Sequence, residues 1–298
     1  MTQPFGKNDP IGFIGLGVMG KGMALCLRRA GHALHVFARS DAPAQALVAA
    51  GAQRAASPAE VGRASRLVFL CVSDDAAVEA VLFGPQGLAQ GLAAGSIVVD
   101  TSTIAADAAR RFAQRLHAQG VSYLDAPISG GQQGAEAGTL ACMIGGPAEA
   151  VDACREVMQS FCKTITHVGD VGAGQTVKAC NQVAVAGAML GVADAIALAL
   201  AQGVDPKLMR EVVLGGTGRS FALERHGQRI IDGDFQPGFR ARLMRKDLRI
   251  ALETARAGGA QLQGAALAEQ LVGELCDSGR GELDWNVLGK LVQEKGGR

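Results

Sequence analysis

The feature that most constrains the fold of this chain is the stretch GFIGLGVMGKGMALCLRRAGH at residues 12–32. It begins with a short apolar run, places glycine at 15, 17 and 20, and ends in a helical pattern. A Gly-x-Gly-x-x-Gly sequence is a weak signal alone, but a preceding strand and a following helix make it specific for dinucleotide binding. In such a unit the first glycine allows a tight turn, the second lets the backbone approach a pyrophosphate, and the third allows close helix–strand packing. The helix N-terminus then directs N–H groups at the phosphates. The predicted cofactor contacts here are Gly15, Leu16, Gly17, Val18, Met19 and Gly20.

Short apolar runs alternate with helical patterns through the first half of the chain. Runs with few charges suit strands that are covered on both faces of a parallel sheet. Alternation of such strands with helices indicates a doubly wound α/β domain. We predict strands at 11–15, 33–38, 66–72, 96–100 and 121–126, a further pair near 139–145 and 163–168, and helices near 19–30, 43–50, 74–82 and 105–118.

The pattern changes after residue 172. The segment that follows has neither strand-like alternation nor proline as far as Gly203. It predicts one helix of about 28 residues, about 42 Å long. Since the rest of the chain also has helical patterns, we predict a Rossmann-type doubly wound sheet followed by an all-α C-terminal domain, joined by this long interdomain helix. The dinucleotide-binding domain is placed at 1–172 and the substrate and oligomerisation domain at 173–298.

Charge and composition exclude several classes of partner. The net charge of +1 provides no general attraction for nucleic acid or membrane, and the basic run RARLMRK at 240–246 is interpreted as a solvated helix face. The apolar stretch 183–201 is interrupted by Asp194, which favours a helix buried in protein over a membrane span. We therefore predict no nucleic-acid or membrane partner.

Cysteine and histidine usage points to a reducing compartment. The seven cysteines are an odd number without a Cys-x-x-Cys pair, and the N-terminus has no apolar signal-peptide core. These features predict reduced thiols and a cytoplasmic location. We interpret Cys142 and Cys180 as buried, inert thiols. The five histidines show no metal-type spacing, so no metal site is predicted.

The residues after the second strand bear on cofactor choice. Enzymes that use NAD usually place Asp or Glu there to bond the ribose 2′-hydroxyl. This chain has Arg39 and Ser40 instead. A guanidinium matches a 2′-phosphate in charge and geometry, so NADP(H) is favoured over NAD(H).

Two further stretches carry candidate chemistry. Ser129, Gly130 and Gly131 form a second glycine cluster, whose successive backbone N–H groups suit an anion such as a carboxylate; a purely structural turn is the alternative. In KACNQ, Lys178, Asn181 and Gln182 lie three and four residues apart and therefore share one helical face. From spacing alone, Lys178 is either a catalytic lysine facing a cleft or a capping or ion-paired lysine. Cys180 is predicted to point away, into the core.

Four motifs in order make a more specific pattern: GFIGLGVMG, DAPISGGQQGAEAGTL, GAGQTVKACNQ and FQPGFRARLMRKDL. Together, from about residue 11 to 290, the chain resembles the β-hydroxyacid dehydrogenase family. The resemblance implies a cleft between the two domains that holds nicotinamide and a small carboxylate-bearing aldehyde or hydroxy acid. By position, it implies that Lys178 is the catalytic lysine, that Ser129, Gly130 and Gly131 bind the substrate carboxylate, and that Asn181 contacts the substrate. It also implies cofactor contacts by Lys246, Val72, Ser73 and Thr103.

The pair Asn181-Gln182 narrows the choice within the family. Many members have two asparagines there, whereas Asn-Gln resembles the tartronate semialdehyde reductases, which makes Gln182 a candidate substrate residue. Trp285 and Arg219 depart from that pattern.

The alternatives are 3-hydroxyisobutyrate, L-threonate or another 3-hydroxy acid as substrate, or reduction of succinic semialdehyde or glyoxylate. An imine reductase is disfavoured because those usually lack the lysine. A non-catalytic NADP(H)-binding sensor is the alternative outside enzymes, and a homo-oligomer, dimer or tetramer, is expected.

Overall fold

The computed structural model describes residues 4–296, and its contacts divide the chain into two compact units, Met1–Lys178 and Ala179–Arg298. The division falls inside the long helix, six residues after the boundary that we predict at 172. Each unit has its own hydrophobic core.

The N-terminal unit is built on a nine-stranded sheet with seven helices among its described residues. The strands are β1 (Ile11–Ile14), β2 (Leu34–Phe37), β3 (Gln53–Arg54), β4 (Leu67–Leu70), β5 (Ile97–Asp100), β6 (Ser122–Asp125), β7 (Ile128–Ser129), β8 (Leu140–Gly145) and β9 (Cys162–Gly169). The helices are α1 (Val18–Arg29), α2 (Asp41–Ala49), α3 (Pro58–Ala64), α4 (Asp75–Phe83), α5 (Ala106–His117), α6 (Gly131–Ala137) and α7 (Ala148–Met158).

The sheet is covered on both faces, as its apolar strands require. Its order is β3-β2-β1-β4-β5-β6-β8-β7, with β9 on β8, and the first six of these strands run parallel. Successive residues of β4 alternate between two cores: Leu67 and Phe69 lie in one, Val68 and Leu70 in the other. The predicted doubly wound α/β domain is therefore confirmed.

Several short elements are absent from the sequence-based prediction. Strands β3 and β7 have two residues each, too few to show a periodic pattern. Helix α3 does carry a signal, because Ser57 accepts a hydrogen bond from the Glu60 N–H while Glu60 accepts one from the Ala56 N–H. This arrangement resembles a capping box, except that Glu60 accepts from the residue before the N-cap and not from the N-cap itself.

The C-terminal unit is helical, as predicted. Helix α8 (Ala173–Ala201) begins in the N-terminal unit and continues into this one. The others are α9 (Pro206–Leu214), α10 (Gln228–Asp232), α11 (Ala241–Ala257), α12 (Gln263–Leu275) and α13 (Leu288–Lys295). Two π-helical segments, Ala222–Gly227 and Cys276–Arg280, and a 3₁₀ turn, Trp285–Val287, join them.

Helix α8 is long and apolar enough to cross a membrane by length and composition, and 33% of its most apolar window is buried. Core helices of soluble proteins pass the same test. Ala186, Met189 and Ile196 of α8 belong to the core of the C-terminal unit. One side of α8 therefore packs in that core, while Leu198 on the same helix is 64% exposed.

The basic run at 240–246 is neutralised by acidic neighbours. Arg240 and Arg242 both pair with Glu282, at 3.0 and 2.5 Å. Arg245 lies 2.9 Å from Asp277 and 3.4 Å from Glu269. The run is thus part of an ion-paired surface.

Candidate active site

Four of the predicted contact segments lie at one edge of the sheet. The strand order reverses between β1 and β4. From this point β2 and β3 follow on one side of the sheet, and β5 and β6 on the other. The residues after β1, β2, β4 and β5 all follow the carboxyl ends of parallel strands. Hydrogen bonds join neighbouring ends: the Cys71 N–H donates to the Ile14 carbonyl oxygen at 2.9 Å, and the Thr101 N–H donates to the Leu70 carbonyl oxygen at 2.8 Å. In open α/β sheets, ligands bind at such a switch point.

The glycine turn after β1 is tightly packed at Gly15 and Gly20 and open at Gly17. Gly15 has φ +96°, and a Cβ there would lie 2.2 Å from the Cys71 carbonyl oxygen. A Cβ at Gly20 would lie 1.9 Å from the Gly15 carbonyl oxygen, so close packing demands glycine at both positions. A Cβ at Gly17, in contrast, would meet no atom of residues 4–296 within 4 Å. The space beside Gly17 is therefore open in this part of the chain, as the predicted approach of a cofactor to its backbone needs. Of its neighbours, Leu16 is buried, Val18 is exposed and Met19 packs partly on the core.

The corner after β2 combines a positive charge with an open helix start. Arg39 is exposed, and Ser40 is the N-cap of α2. Within the described residues, the Ser40 side chain makes no cap hydrogen bond, so the first N–H groups of α2 are not satisfied by it. Asp41 follows in the first turn, and its carboxylate lies 2.5 Å from Nη2 of Arg54 on β3. The acidic charge next to this corner is thus paired.

The loops after β4 and β5 are tied together by Ser102. The Val72 N–H donates to Ser102 Oγ at 2.9 Å, and the Ser102 N–H donates to the buried Asp100 carboxylate at 2.9 Å. Thr103 follows directly. On the other side, Ser73 precedes Asp74, the N-cap of α4, and donates to its carboxylate at 2.8 Å. The predicted nicotinamide contacts Val72 and Thr103 thus lie on loops that share one buried hydrogen-bond network.

Gln175, in the first turn of α8, joins the same network. Its Nε2 donates to the Ser102 carbonyl oxygen at 2.9 Å, and its Oε1 accepts from the Ile104 N–H at 3.1 Å. The Gln175 side chain is 1% exposed. Its two hydrogen bonds therefore bracket Thr103.

Asp125, at the end of β6, receives the start of α8. Its two carboxylate oxygens accept hydrogen bonds from the N–H groups of Gly172 and Gln175, each at 2.8 Å. Burial raises the pKa of Asp125 to about 6, despite these two hydrogen bonds. Burial likewise raises the pKa of Asp100, which accepts a hydrogen bond from the Tyr123 hydroxyl at 2.7 Å. The polar groups at the helix start are therefore paired with one another beneath the surface.

The second glycine cluster is more ordered than a loop. Ile128 and Ser129 form β7, which pairs antiparallel with β8. Gly130 and Gly131 have φ +134° and +64°, conformations that favour glycine. Ser129 is part-exposed and directly precedes Gly130, the N-cap of α6.

Lys178 lies on α8 one turn after Gln175 and is 7% exposed. Lysine is among the residues least often buried, and burial usually implies a partner or a function.

Asn181 and Gln182 lie on α8 within the C-terminal unit, where their side chains are linked. Asn181 Nδ2 donates to Gln182 Oε1 at 2.8 Å, and Gln182 Nε2 donates to Asp247 Oδ2 at 2.7 Å. The Lys246 ammonium lies 3.2 Å from Asp247 Oδ1. The structure thus brings together the predicted residues Asn181, Gln182 and Lys246 through Asp247. Because Gln182 is 5% exposed and both ends of its amide are used, it is better placed to orient Asn181 than to touch a substrate.

One predicted burial is wrong. Cys180 is exposed, whereas Cys142 is buried as predicted, and all seven cysteines are free thiols. The exposed face of this part of α8 includes Val177, Cys180 and Ala184. Here the polar residues Gln175, Lys178 and Gln182 form the buried side of the helix. This reverses the usual pattern, in which the polar face of a helix is the exposed one, so Cys180 on the other side is exposed.

The two residues that depart from the reductase pattern have structural positions within the C-terminal unit. Trp285 is 2% exposed and packs edge-on against His226, with ring centroids 5.5 Å apart. Arg219 lies at the surface, 3.3 Å from Glu224. Trp285 is therefore a core residue and Arg219 a surface ion-pair residue.

Sequence reasoning assigns no role to Asp125 or Gln175, although both lie inside quoted motifs. Each has a recognisable feature in the sequence. Asp125 is an acidic residue at the end of an apolar strand, and Gln175 is an amide three residues before Lys178. Their partners are backbone groups far away in sequence, which no local pattern reveals.

Comparisons with known proteins agree across the chain. Residues 10–169 match the model of the NAD-binding domain of 6-phosphogluconate dehydrogenase. Residues 172–292 match the model for NAD-binding of NADP-dependent 3-hydroxyisobutyrate dehydrogenase.

Individual relatives cover almost the whole chain. The 2-hydroxy-3-oxopropionate reductase of Escherichia coli is 39% identical over 95% of this chain and 97% of its own length. The 3-hydroxyisobutyrate dehydrogenase of Pseudomonas aeruginosa is 37% identical over 96% and 99%. The solved structure of Psf3 in complex with NADP+ and 2-OPP is 30% identical, with a TM-score of 0.87 over 95% of this chain and 99% of Psf3. The chain therefore belongs to the β-hydroxyacid dehydrogenase family, NAD(P)-dependent oxidoreductases that act on CH–OH donors.

Proposed function

We propose that this enzyme interconverts a short 3-hydroxy acid and its semialdehyde, and that its substrate pair is tartronate semialdehyde and glycerate. Two observations support this substrate. The Escherichia coli relative named for that reaction, 2-hydroxy-3-oxopropionate reductase, is 39% identical over 95% of the chain. The Asn181-Gln182 pair resembles the same group of reductases.

Lys178 is proposed as the proton donor. When bound, the nicotinamide supplies the hydride in reduction and accepts it in oxidation. The Lys178 ammonium holds a proton at Nζ for the aldehyde oxygen, where negative charge develops. In the reverse direction the neutral amine takes the proton of the hydroxyl. The observation that carries this assignment is a 7% exposed lysine on α8, one turn beyond Gln175 and its network.

The remaining proposed contacts position the substrate. Ser129, Gly130 and Gly131 bind its carboxylate through a hydroxyl and backbone N–H groups. Asn181 orients it with an amide that Gln182 holds at 2.8 Å. Positioning of this kind supplies a large part of the acceleration in two-substrate reactions.

NADP(H) is proposed as the cofactor. Arg39, the Ser40 hydroxyl and the start of α2 offer positive charge and donors for a 2′-phosphate. The Psf3 structure, which contains NADP+, gives indirect support. Val72, Ser73, Thr103 and Lys246 are proposed to contact the rest of the cofactor.

The Asp41–Arg54 ion pair gives a test of this corner. We expect Arg54→Gln to weaken NADPH binding about threefold to fivefold, because the Asp41 carboxylate then repels the phosphate; two unit charges about 4 Å apart interact by roughly 1 kcal/mol in water. Asp41→Asn should tighten NADPH binding, because it removes the negative charge. Dissociation constants measured by fluorescence titration check both variants, and the effects should shrink at high salt because salt screens exposed charges. NADH serves as the control ligand, and equal effects on NADH and NADPH would contradict the assignment.

Gln182→Asn tests how Asn181 is held. The shorter amide loses its hydrogen bond to Asp247, so we expect the KM for the semialdehyde to rise about tenfold, the scale of a hydrogen bond to a charged group. The dissociation constant of NADPH should stay within twofold. Gln228→Asn is the matched control, because Gln228 makes the same amide-to-Asp contact at 2.9 Å on an exposed helix surface. An unchanged KM would argue against a role for Gln182.

The proposed function is tested by oxidation of a panel of hydroxy acids: glycerate, 3-hydroxyisobutyrate and L-threonate, each with NADP+ and NAD+. Glycerate with NADP+ should give the highest kcat/KM. A preference for 3-hydroxyisobutyrate, the substrate named for the Pseudomonas aeruginosa relative, would replace the proposed substrate and leave the reaction class intact.

A homo-oligomer in the cytoplasm is also proposed. Leu198, Leu208, Val212 and Phe221 of the C-terminal unit are each more than half exposed, and apolar surface of this kind often marks an interface. Seven free thiols fit a reducing compartment. Light scattering of the purified protein distinguishes a monomer from a dimer or tetramer.

A further inference from the structure

We propose that Gln175 and Asp125 are positioning residues that fix Lys178 relative to the loop carrying Thr103. This inference rests on the proposed role of Lys178 as proton donor. It concerns the placement of that group, which neither the family motifs nor the comparisons assign to any residue.

Gln175 fixes the distance between the helix and the loop. Its amide donates to the residue before Thr103 and accepts from the residue after it, at 2.9 and 3.1 Å. A glutamine amide that uses both ends in this way permits only one orientation of the loop. Lys178 is three residues further along α8, so it lies on the same face of the helix as Gln175. The two side chains are therefore adjacent along one stripe.

Asp125 fixes the start of the helix. Its carboxylate receives the N–H groups of Gly172 and Gln175, two of the donors that a helix start leaves unsatisfied. Asp125 lies so close to the backbone of Gly145 and Gly174 that both positions require glycine. A Cβ at Gly174 would lie 2.5 Å from the Asp125 carbonyl oxygen, and one at Gly145 would lie 2.5 Å from its Oδ1. The helix start cannot shift without breaking these contacts.

The two anchors together restrict α8 in different ways. Asp125 limits movement along the helix axis, because it binds the N–H groups at the helix end. Gln175 limits rotation about that axis, because its side chain reaches a loop to one side. Misplacing a reacting group by about 1 Å can cost 10²-fold in rate. A loss of either anchor should therefore appear in the chemical step.

A buried polar network also contributes to stability, so the test must separate the two roles. Gln175→Met keeps the side-chain length and removes both hydrogen bonds. Asp125→Asn keeps one acceptor oxygen and turns an N–H donor toward the other backbone N–H. The matched controls lie in the C-terminal unit. Asn286→Leu removes a fully buried amide that donates to the Asp234 carbonyl oxygen at 3.1 Å. Asp284→Asn alters a buried carboxylate that accepts the Gly238 and Phe239 N–H groups at 2.8 and 2.9 Å.

We expect Gln175→Met and Asp125→Asn to lower kcat for the best substrate by about 30-fold or more, within the range for a misplaced catalytic group. The KM and the dissociation constant of NADPH should change less than threefold. The controls should lower the melting temperature to a similar extent with kcat within threefold of wild type. If kcat follows the melting temperature equally in all four variants, the residues are merely structural and the proposal is overturned.

A double-mutant cycle separates this inference from the proposed function. If Gln175 acts through Lys178, Gln175→Met should cause no further loss in the Lys178→Ala background. A full, additive loss there would overturn the positioning role even if Lys178 is catalytic. If Lys178→Ala alone retains wild-type turnover, the proposed function fails instead. The cycle can be measured with the residual turnover rates of the Lys178→Ala variants. If Gln175→Met does not fold, Asp125→Asn takes its place in the cycle.

Discussion

Replacing Lys178 with alanine is expected to lower kcat by at least 10²–10⁴-fold, the typical contribution of general acid–base catalysis. The variant loses the ammonium that meets the developing charge on the carbonyl oxygen. Binding of NADPH should stay within twofold of wild type, because the glycine turn and Arg39 lie on other segments. Steady-state rates with the best substrate, together with a fluorescence titration of NADPH, measure both quantities.

Two further variants show whether the loss of activity comes from proton transfer by Lys178. Lys178→Arg keeps a positive charge but does not release a proton near neutral pH, so it separates charge stabilisation from proton transfer, and we expect most of the loss to persist. Lys163→Ala, an exposed lysine on β9 in the same unit, is the control. Turnover of Lys178→Ala within tenfold of wild type would contradict the catalytic assignment.

Replacing Arg39 with alanine is expected to raise the dissociation constant of NADPH by about 10- to 100-fold, the scale of a lost charge-assisted hydrogen bond of roughly 1.5–3 kcal/mol. Binding of NADH should change less than threefold, because NADH has no 2′-phosphate. The ratio of the two dissociation constants, measured by isothermal titration, gives the effect directly.

The control for this change is Arg111→Ala, which removes an equally exposed arginine from α5. Both variants lower the net charge by one, so a general electrostatic effect would appear in each. If Arg39→Ala weakens NADPH and NADH equally, or if Arg111→Ala has the same effect, the 2′-phosphate does not bind at Arg39.

The sequence predicts the fold wherever a local pattern carries the physics. Apolar strands such as 67–70 need cover on both faces, and glycine at 15 and 20 is required by contacts with neighbouring backbone. Helical spacing also places Lys178 on one face with Asn181 and Gln182, whereas its catalytic role comes from the family resemblance and stays a prediction. Such patterns are short-range, so they are visible without coordinates.

The sequence fails where the deciding partner is distant. Gln175 bonds a loop more than 70 residues earlier, and Gln182 bonds Asp247, 65 residues later. Neither pairing has a local signature, so the sequence shows neither hydrogen bond. The predicted substrate contact of Gln182 stays a prediction. The predicted burial of Cys180 is wrong because the polar side of α8, with Lys178 and Gln182, is the buried side at this point of the helix.

Reduction of semialdehydes by the wild-type enzyme tests the proposed substrate most directly. The decisive measurement is kcat/KM of the wild-type enzyme with NADPH for tartronate semialdehyde, set against methylmalonate semialdehyde and succinic semialdehyde under the same conditions. We predict that tartronate semialdehyde exceeds both by at least tenfold, a difference of about 1.4 kcal/mol in transition-state binding. A higher kcat/KM for either competitor would contradict the claim.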